Sequence, residues 1–284
     1  MDKTKIENFQ RTKDFLLCVD SDGCAMNTME IKHRRSFGPK IIEVWGLEAD
    51  QERILDMWNH LNLYASTRGI NRFKGLAALF EKLDAEGIAQ IPGWRELKEW
   101  ADTTPALSNA ALKAEIEKTG KEILKQAYDW SLRVNESIAQ IPMEDGGPFE
   151  NVKETLAMAG EKANISIVSS ANGQAIQDEW GHFGLAEYTD AMLGQEAGTK
   201  SICIEGLKAK GGYADDHILM TGDALGDLKA AEDNGVLFYP IIAGQEGKSW
   251  KRLHDEAFPR FLAGTYAGEY QKSLLDEFKA LLSD

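Results

Sequence analysis

The fold of this chain is decided by the stretch Phe15-Leu16-Leu17-Cys18-Val19-Asp20-Ser21-Asp22-Gly23. Five apolar residues followed by a polar turn are typical of a strand that is buried on both faces of a parallel sheet. Asp20 and Asp22 stand two residues apart at the end of this strand, so that their side chains point to the same side. Gly23 allows the backbone to turn sharply and a ligand to approach closely. We therefore expect two carboxylates at one edge of a parallel sheet.

Alternating strand and helix patterns begin after residue 146. Strand-like runs at 165–168, 191–193, 217–221 and 236–239 alternate with helix-like segments at 174–180, 201–208 and 225–233. Repeated strand–helix units predict an α/β fold, a Rossmann-like doubly wound parallel sheet. In such sheets ligands bind beyond the carboxyl ends of the strands.

The segment between the first strand and the second has a helical pattern. Apolar residues recur at helical spacing, for example from Ile54 to Leu61 and from Phe73 to Leu83. Ser108 is a candidate N-cap for one long charged helix that continues past Trp130. We therefore predict an α/β core formed by residues 1–27 and 146–284, with an inserted α-helical cap domain formed by residues 28–145.

The composition limits the partners of the protein. Its formal net charge is -14, and such a field repels nucleic acid and anionic membrane surfaces. The N-terminus lacks the pattern of a secretory leader, and no apolar run approaches the roughly 18 residues of a membrane span. The cysteines at 18, 24 and 203 show neither disulfide nor metal-ligand spacing. We expect a cytoplasmic protein that binds a small molecule; the sequence does not specify its oligomeric state.

Polar loops follow three of the predicted strands, and the fold brings all three to one edge of the sheet. These loops are Asp20-Ser21-Asp22-Gly23, Ser169-Ser170-Ala171-Asn172 and Gly222-Asp223-Ala224-Leu225-Gly226-Asp227. Four acids at one site repel each other unless a cation joins them. Their hard oxygen ligands suit Mg²⁺.

Four stretches of the sequence resemble, in the same order, the four motifs of the haloacid dehalogenase superfamily. They are Leu17-Cys18-Val19-Asp20-Ser21-Asp22-Gly23-Cys24, Ile167-Val168-Ser169-Ser170, Lys200 after Gly198-Thr199, and Ile218-Leu219-Met220-Thr221-Gly222-Asp223 through Asp227. The resemblance implies a magnesium-dependent phosphohydrolase whose cap domain is inserted between the first two motifs. It departs from the usual pattern at Cys24, where most members carry threonine.

The same resemblance implies the catalytic roles. Asp20 would be the nucleophile, and Asp22 would be the general acid and base. Ser170, in preference to Ser169, would hydrogen-bond the phosphoryl group. Lys200 would balance the charges of Asp20 and of the phosphoryl oxygens.

The resemblance also implies the metal ligands and the walls of the phosphate site. Asp20, the backbone carbonyl of Asp22 and Asp223 would bind Mg²⁺. Asp227 would either bind the metal or orient Lys200. Around the phosphoryl group we expect, as substrate-binding residues, Gly23, Ser169, Ala171 and Asn172.

A basic run at Lys32-His33-Arg34-Arg35 has two interpretations. A charge run usually forms a solvated face. Alternatively, Arg34 and Arg35 hold an anionic part of the substrate, because an acidic protein that binds phosphates needs local positive charge.

Three functional hypotheses remain open at this stage. A phosphatase acting on a small phosphorylated metabolite is the leading one, since the resemblance implies that an acid at position 22 favours oxygen-ester chemistry. A phosphomutase would use the same core residues, and a non-catalytic ligand-binding protein would keep only the fold. A dinucleotide-binding protein is disfavoured, because no Gly-x-Gly-x-x-Gly follows a predicted strand.

Overall fold

A computed structural model of the protein describes residues 2–282 and contains one parallel sheet of five strands. The strands are β1 (Phe15–Val19), β2 (Ala163–Val168), β3 (Ala191–Leu193), β4 (Ile218–Gly222) and β5 (Leu237–Pro240), in the spatial order β3-β2-β1-β4-β5. The central strand β1 is parallel to both of its neighbours, and Val19 lies opposite Ile167 of β2 and Thr221 of β4. The carboxyl ends of β1, β2 and β4 therefore meet at one edge.

The α-helices of the described chain fall before, between and after these strands. They are α1 (Thr4–Glu7), α2 (Met29–Lys32), α3 (Gly38–Trp45), α4 (Gln51–Asn59), α5 (Arg72–Ala85), α6 (Trp94–Thr103), α7 (Asn109–Thr119), α8 (Glu122–Ala139), α9 (Val152–Gly160), α10 (Gly173–His182), α11 (Lys200–Gly211), α12 (Leu225–Asp233), α13 (Glu246–Arg252), α14 (Phe258–Leu262) and α15 (Glu269–Leu281). Within residues 2–282, no helix combines the length and the apolar character that a membrane span requires.

Two compact units make up the chain. The sheet unit consists of the residues up to Met29 together with those from Met143 onwards, and the helical unit consists of Glu30–Pro142. All five strands lie in the sheet unit, and the helical unit is an all-α insertion between β1 and β2. The assignment of the helical unit as a cap stays a prediction.

Both faces of the sheet are covered, as the apolar run of β1 predicts. Leu17 and Val19 contact an apolar cluster on one face, and Leu16 and Cys18 contact a second cluster on the other. All four side chains are fully buried, because successive residues of a strand point to opposite faces. The predicted doubly wound α/β core is confirmed.

The helical unit has an apolar core of its own, rich in aromatic side chains. Trp58 and Trp130 are fully buried, and their rings meet edge to face with centroids 6.0 Å apart. Phe37 and Phe73 pack against Trp130. Burial of these large rings contributes about 1.5–3 kcal/mol each to the stability of the unit.

The prediction of one long helix after Ser108 is wrong. Ser108 does cap a helix, since its Oγ accepts a hydrogen bond from the backbone N of Ala111. That helix, α7, ends at Thr119, because Gly120 adopts a left-handed conformation with φ of 66°. Lys121 is extended and α8 begins after it.

Candidate active site

The loop after β1 is a compact turn that fixes the first two acids. The backbone N of Asp20 donates to the carbonyl of Thr221 on β4, at 3.0 Å. The carbonyl of Ser21 accepts from the backbone N of Ala25 and of Met26, at 3.0 and 2.9 Å. Gly23 turns the chain in a left-handed conformation with φ of 81°, where other residues would be strained. The carboxylate of Asp20 is thereby held in a nearly buried position, with 5% exposure.

Two buried tryptophans of the sheet unit donate hydrogen bonds to this loop. Trp180 Nε1 donates to Ser21 Oγ at 2.9 Å, and Trp250 Nε1 donates to the carbonyl of Cys24 at 2.8 Å. Both rings are fully buried, so neither hydrogen bond competes with water. Nothing in the sequence pattern indicated these contacts, which join residues more than 150 positions apart.

Lys200 is the first residue of α11, and it links two of the predicted acids. Its Nζ lies 2.8 Å from Asp20 Oδ1 and 2.5 Å from Asp227 Oδ1. Burial by itself would lower the pKa of Lys200, but the two carboxylates outweigh burial and raise it above its ordinary value. The side chain therefore carries a full positive charge at neutral pH.

Asp227 lies in the first turn of α12, very close to the end of β4. Its second carboxylate oxygen, Oδ2, accepts from the backbone N of Ala224 at 3.1 Å. A Cβ atom on Gly222 would lie only 2.4 Å from Asp227 Cγ, so position 222 must be glycine for the carboxylate to lie there. The Gly-Asp-x-x-x-Asp pattern thus has a steric cause at its first residue.

Asp20, Asp223 and Asp227 form a buried cluster of carboxylates. One oxygen from each lies within 4.8 Å of the others. Burial raises the pKa of Asp20 well above its ordinary value; Lys200 opposes this effect, and the charges of Asp227 and Asp223 add to it. Three carboxylates and one ammonium leave a net negative charge in this cluster. The donor set therefore fits a hard divalent cation such as Mg²⁺.

Asp22 lies outside that cluster and accepts a hydrogen bond from a hydroxyl group. Thr28 Oγ1 donates a hydrogen bond to Asp22 Oδ1. Thr28 is itself buried, with 8% exposure, whereas Asp22 is partly exposed. One oxygen of Asp22 is thus fixed in direction, and the side chain retains access to solvent. Sequence reasoning missed Thr28, because a threonine six residues after an aspartate carries no motif.

The loop after β2 contains one buried serine and one exposed serine. Ser169 is buried, its backbone N donates to the carbonyl of Leu193 at 2.9 Å, and its Oγ accepts from the backbone N of Ala171 at 3.2 Å. Ser170 is exposed. Asn172 caps α10, since its Oδ1 accepts from the backbone N of Gln174 and of Ala175. The choice of Ser170 over Ser169 as the phosphoryl ligand stays a prediction.

The sequence profile of the haloacid dehalogenase-like hydrolases matches residues 100–241, which is half of the chain. The chain belongs to this family. The matched residues contain Lys200 and the Asp223 to Asp227 stretch, whereas the Asp20 loop precedes them. The fold of this haloacid dehalogenase-like hydrolase brings Asp20 close to the matched residues.

Three solved structures are similar to this hydrolase at low sequence identity. A predicted phosphatase from Clostridium acetobutylicum is 14% identical, with a TM-score of 0.48 over 87% of this chain and 100% of that one. A predicted phosphoglycolate phosphatase from Haemophilus somnus 129PT is 18% identical, with a TM-score of 0.48 over 83% and 92%. A haloacid dehalogenase-like hydrolase from Streptococcus pneumoniae is 10% identical, with a TM-score of 0.44 over 85% and 92%. No curated protein matches the chain.

The basic run of the hydrolase lies in the helical unit, where Arg34 already has a counter-charge. Arg34 Nε lies 2.7 Å from Glu30 Oε1 one helical turn earlier, and Nη2 donates to the hydroxyl of Tyr64 at 3.2 Å. Arg35 is exposed in the π-helical turn that follows α2. The Glu30 pair reduces the positive charge that Arg34 offers to a ligand. A substrate-binding role for Arg34 and Arg35 stays a prediction.

Proposed function

We propose that this hydrolase is a magnesium-dependent phosphatase that acts on a small phosphorylated metabolite through an aspartyl-phosphate on Asp20. The observation that carries the proposal is the pair of contacts from Lys200 Nζ to Asp20 and Asp227 inside a buried carboxylate cluster. Phosphoryl transfer depends on positioning and on neutralising charge. A carboxylate held by a buried ammonium beside further carboxylates supports this chemistry better than it supports passive ligand binding.

In the first half-reaction, one oxygen of Asp20 attacks phosphorus, and the bond from phosphorus to the ester oxygen breaks. Asp22, in its protonated form, gives its proton to the departing oxygen, so that the product leaves as an alcohol. Lys200 remains protonated throughout and stabilises the negative charge on Asp20 and on the phosphoryl oxygens. The hydrogen bond from Thr28 fixes one oxygen of Asp22, which supports a role for Asp22 in proton transfer.

In the second half-reaction, Asp22 takes a proton from a water molecule as that water attacks phosphorus. The bond between Asp20 and phosphorus breaks, which releases inorganic phosphate and restores both side chains. When bound to Asp20, Asp223 and Asp227, magnesium would screen the charge that collects on the phosphoryl oxygens. The buried free thiols of Cys18, Cys24 and Cys203 accord with a reaction in a reducing, cytoplasmic compartment.

The decisive test compares Asp20→Asn with Asp22→Asn. With an aryl phosphate that has a good leaving group, and with magnesium, mass spectrometry of quenched protein should show a phosphoryl group on the peptide that contains Asp20. Asp20→Asn should carry no phosphoryl group, because an amide is a poor nucleophile. Asp22→Asn should still be phosphorylated, and its acyl phosphate should persist because hydrolysis slows by roughly 10²–10⁴-fold.

Each alternative outcome has a distinct meaning. A phosphoryl group on Asp22 would reverse the assignment of nucleophile and acid. Transfer of the phosphoryl group to a second sugar phosphate, with no release of phosphate, would identify a phosphomutase. The absence of a phosphoenzyme from wild type with every ester tested would contradict the enzymatic proposal and favour a binding protein.

A further inference from the structure

Arg72 in the helical unit has a positive charge that its surroundings do not compensate. It is the first residue of α5, and its side chain is partly buried. In the described part of the chain, only neutral oxygens accept hydrogen bonds from Arg72: the carbonyl of Ser131 at 3.4 Å, Ser131 Oγ at 3.0 Å and Asn135 Oδ1 at 2.7 Å. All three contacts involve Nη1. Within residues 2–282, Nε and Nη2 donate no hydrogen bond to the protein.

Four other arginines of the helical unit behave differently. Each has an aspartate or glutamate oxygen at 2.7 to 3.1 Å; they are Arg34, Arg53, Arg95 and Arg133. Burial alone lowers the pKa of Arg72, to about 10, and no carboxylate opposes this effect. The guanidinium remains protonated at neutral pH, so a cost of desolvation is present without a counter-charge. An anionic ligand would supply that counter-charge.

The guanidinium is also held rigidly. It lies over the ring of Phe37, 4.9 Å from the centroid, in a cation–π contact. Phe37 is fixed in turn, because its carbonyl accepts from Trp130 Nε1 at 3.2 Å and its ring stacks on His33. Ser131 Oγ donates to Asn109 Oδ1 at 2.7 Å, so the lone pairs of Ser131 Oγ remain available to accept from Arg72. A group that is already ordered loses little entropy when it binds a ligand.

We propose that Arg72 is the centre of an oxyanion-binding site in the helical unit and takes a carboxylate or a phosphate group through Nε and Nη2. These two nitrogens lie side by side in the plane of the guanidinium, and their N–H bonds match the two oxygens of one oxyanion. Nη1 meanwhile stays bound to Ser131 and Asn135, so ligand binding requires no loss of an existing contact. The proposal concerns the helical unit by itself and does not depend on the phosphatase activity.

Binding of inorganic phosphate and of malonate, each alone, tests the site. Isothermal titration would be performed on full-length wild type, Arg72→Gln, Arg72→Lys and Arg95→Gln, with excess chelator and without magnesium. Arg95 is a matched control, since it stacks on Trp94 at 4.4 Å but has Asp84 as its counter-charge. Any anion bound at the carboxylate cluster would affect the four proteins equally.

We expect wild type and Arg95→Gln to bind at least one of the two anions with the same affinity. Arg72→Gln should bind it roughly tenfold to a hundredfold more weakly, as expected for lost hydrogen bonds to a charged group. Arg72→Lys keeps the charge but loses the planar pair of donors, so its affinity should be intermediate. The preferred anion, phosphate or malonate, identifies the ligand class.

Equal affinities of wild type and Arg72→Gln would overturn the proposal, as would the failure of wild type to bind either anion. Thermal unfolding provides a second measurement. The bound anion should raise the Tm of wild type and of Arg95→Gln, and it should leave the Tm of Arg72→Gln unchanged. If Arg72→Gln does not fold, Arg72→Lys decides the question, and wild-type affinity in that variant would contradict the site.

Discussion

The sheet unit and the helical unit each hold a cationic side chain that is partly withdrawn from solvent. Lys200 in the sheet unit contacts two carboxylates, at 2.8 and 2.5 Å. Arg72 in the helical unit contacts a serine, an asparagine and an aromatic ring, all of them neutral. The surroundings have opposite effects on the two groups: neighbouring acids raise the pKa of Lys200, whereas burial lowers that of Arg72.

The difference shows how a buried cation relates to function. Around Lys200 the protein supplies an excess of negative charge, so the site gains from a further cation. Around Arg72 the described residues 2–282 supply only neutral hydrogen-bond acceptors, so the site gains from an anion. In both cases the uncompensated charge, and not the cation by itself, indicates what the site would bind.

The largest expected effect comes from replacing each cation with an apolar side chain of similar length. Lys200→Met leaves Asp20 and Asp227 buried without their partner. It should lower the free energy of unfolding by about 3–5 kcal/mol and remove nearly all activity. Arg72→Met leaves no carboxylate unpaired, so it should cost no more than about 1 kcal/mol. Urea unfolding of both variants in chelator measures the difference, and equal losses would contradict the contrast.

Magnesium binding tests whether the excess negative charge of the carboxylate cluster holds a cation. Asp223→Asn removes one negative charge from the cluster and should weaken magnesium binding at least about tenfold, with most activity lost and the fold intact. Titration calorimetry and circular dichroism check both parts. Asp233→Asn is the control, because Asp233 is an acid paired with Lys229 at 2.7 Å and lies outside the cluster. Full wild-type activity in excess chelator would rule out the metal.

The smallest expected effect concerns Asp22, which a neutral hydroxyl group contacts outside the cluster. Thr28→Val removes the hydrogen bond to Asp22 and should lower kcat about tenfold for alkyl phosphates, whose leaving group needs a proton. The loss should be smaller for aryl phosphates with good leaving groups, and Thr28→Ser should restore most of the rate. A structural defect would slow both substrate classes equally.

Thr189→Val is the matched control for that series. The hydroxyl of Thr189 donates to the carbonyl of Ala186 in the same unit, and Thr189 precedes β3, at the end of that strand opposite to its carboxyl end. This variant should keep the wild-type ratio of rates for alkyl and aryl phosphates. If Thr28→Val also keeps it, Thr28 does not position Asp22 for proton transfer.

The sequence by itself determined the sheet, the order of its strands along the chain and the identity of the acids at its edge. It could do so because a fully apolar five-residue run, such as Phe15–Val19, has few ways to be buried except as a central parallel strand. The carboxyl ends of parallel strands lie at one edge of the sheet, so the topology by itself places Asp20, Asp223 and Asp227 together.

Predictions from local sequence rules were wrong where tertiary contacts or the backbone conformation of one residue decided the structure. Gly120 divided the helix that was predicted to run from Ser108 past Trp130, because its left-handed conformation ends α7. Two adjacent serines in one loop look alike in sequence, and only packing made Ser169 buried and Ser170 exposed.

The charge balance around each cation was decided by tertiary structure alone. Lys200 is 27 residues from Asp227 and 180 from Asp20, and Arg72 is 59 residues from Ser131. A sequence records that a lysine or an arginine is present, but its pKa and its counter-charges depend on which distant groups the fold brings within a few ångströms. Electrostatic interactions of buried groups act over such short distances that only the folded chain can specify them.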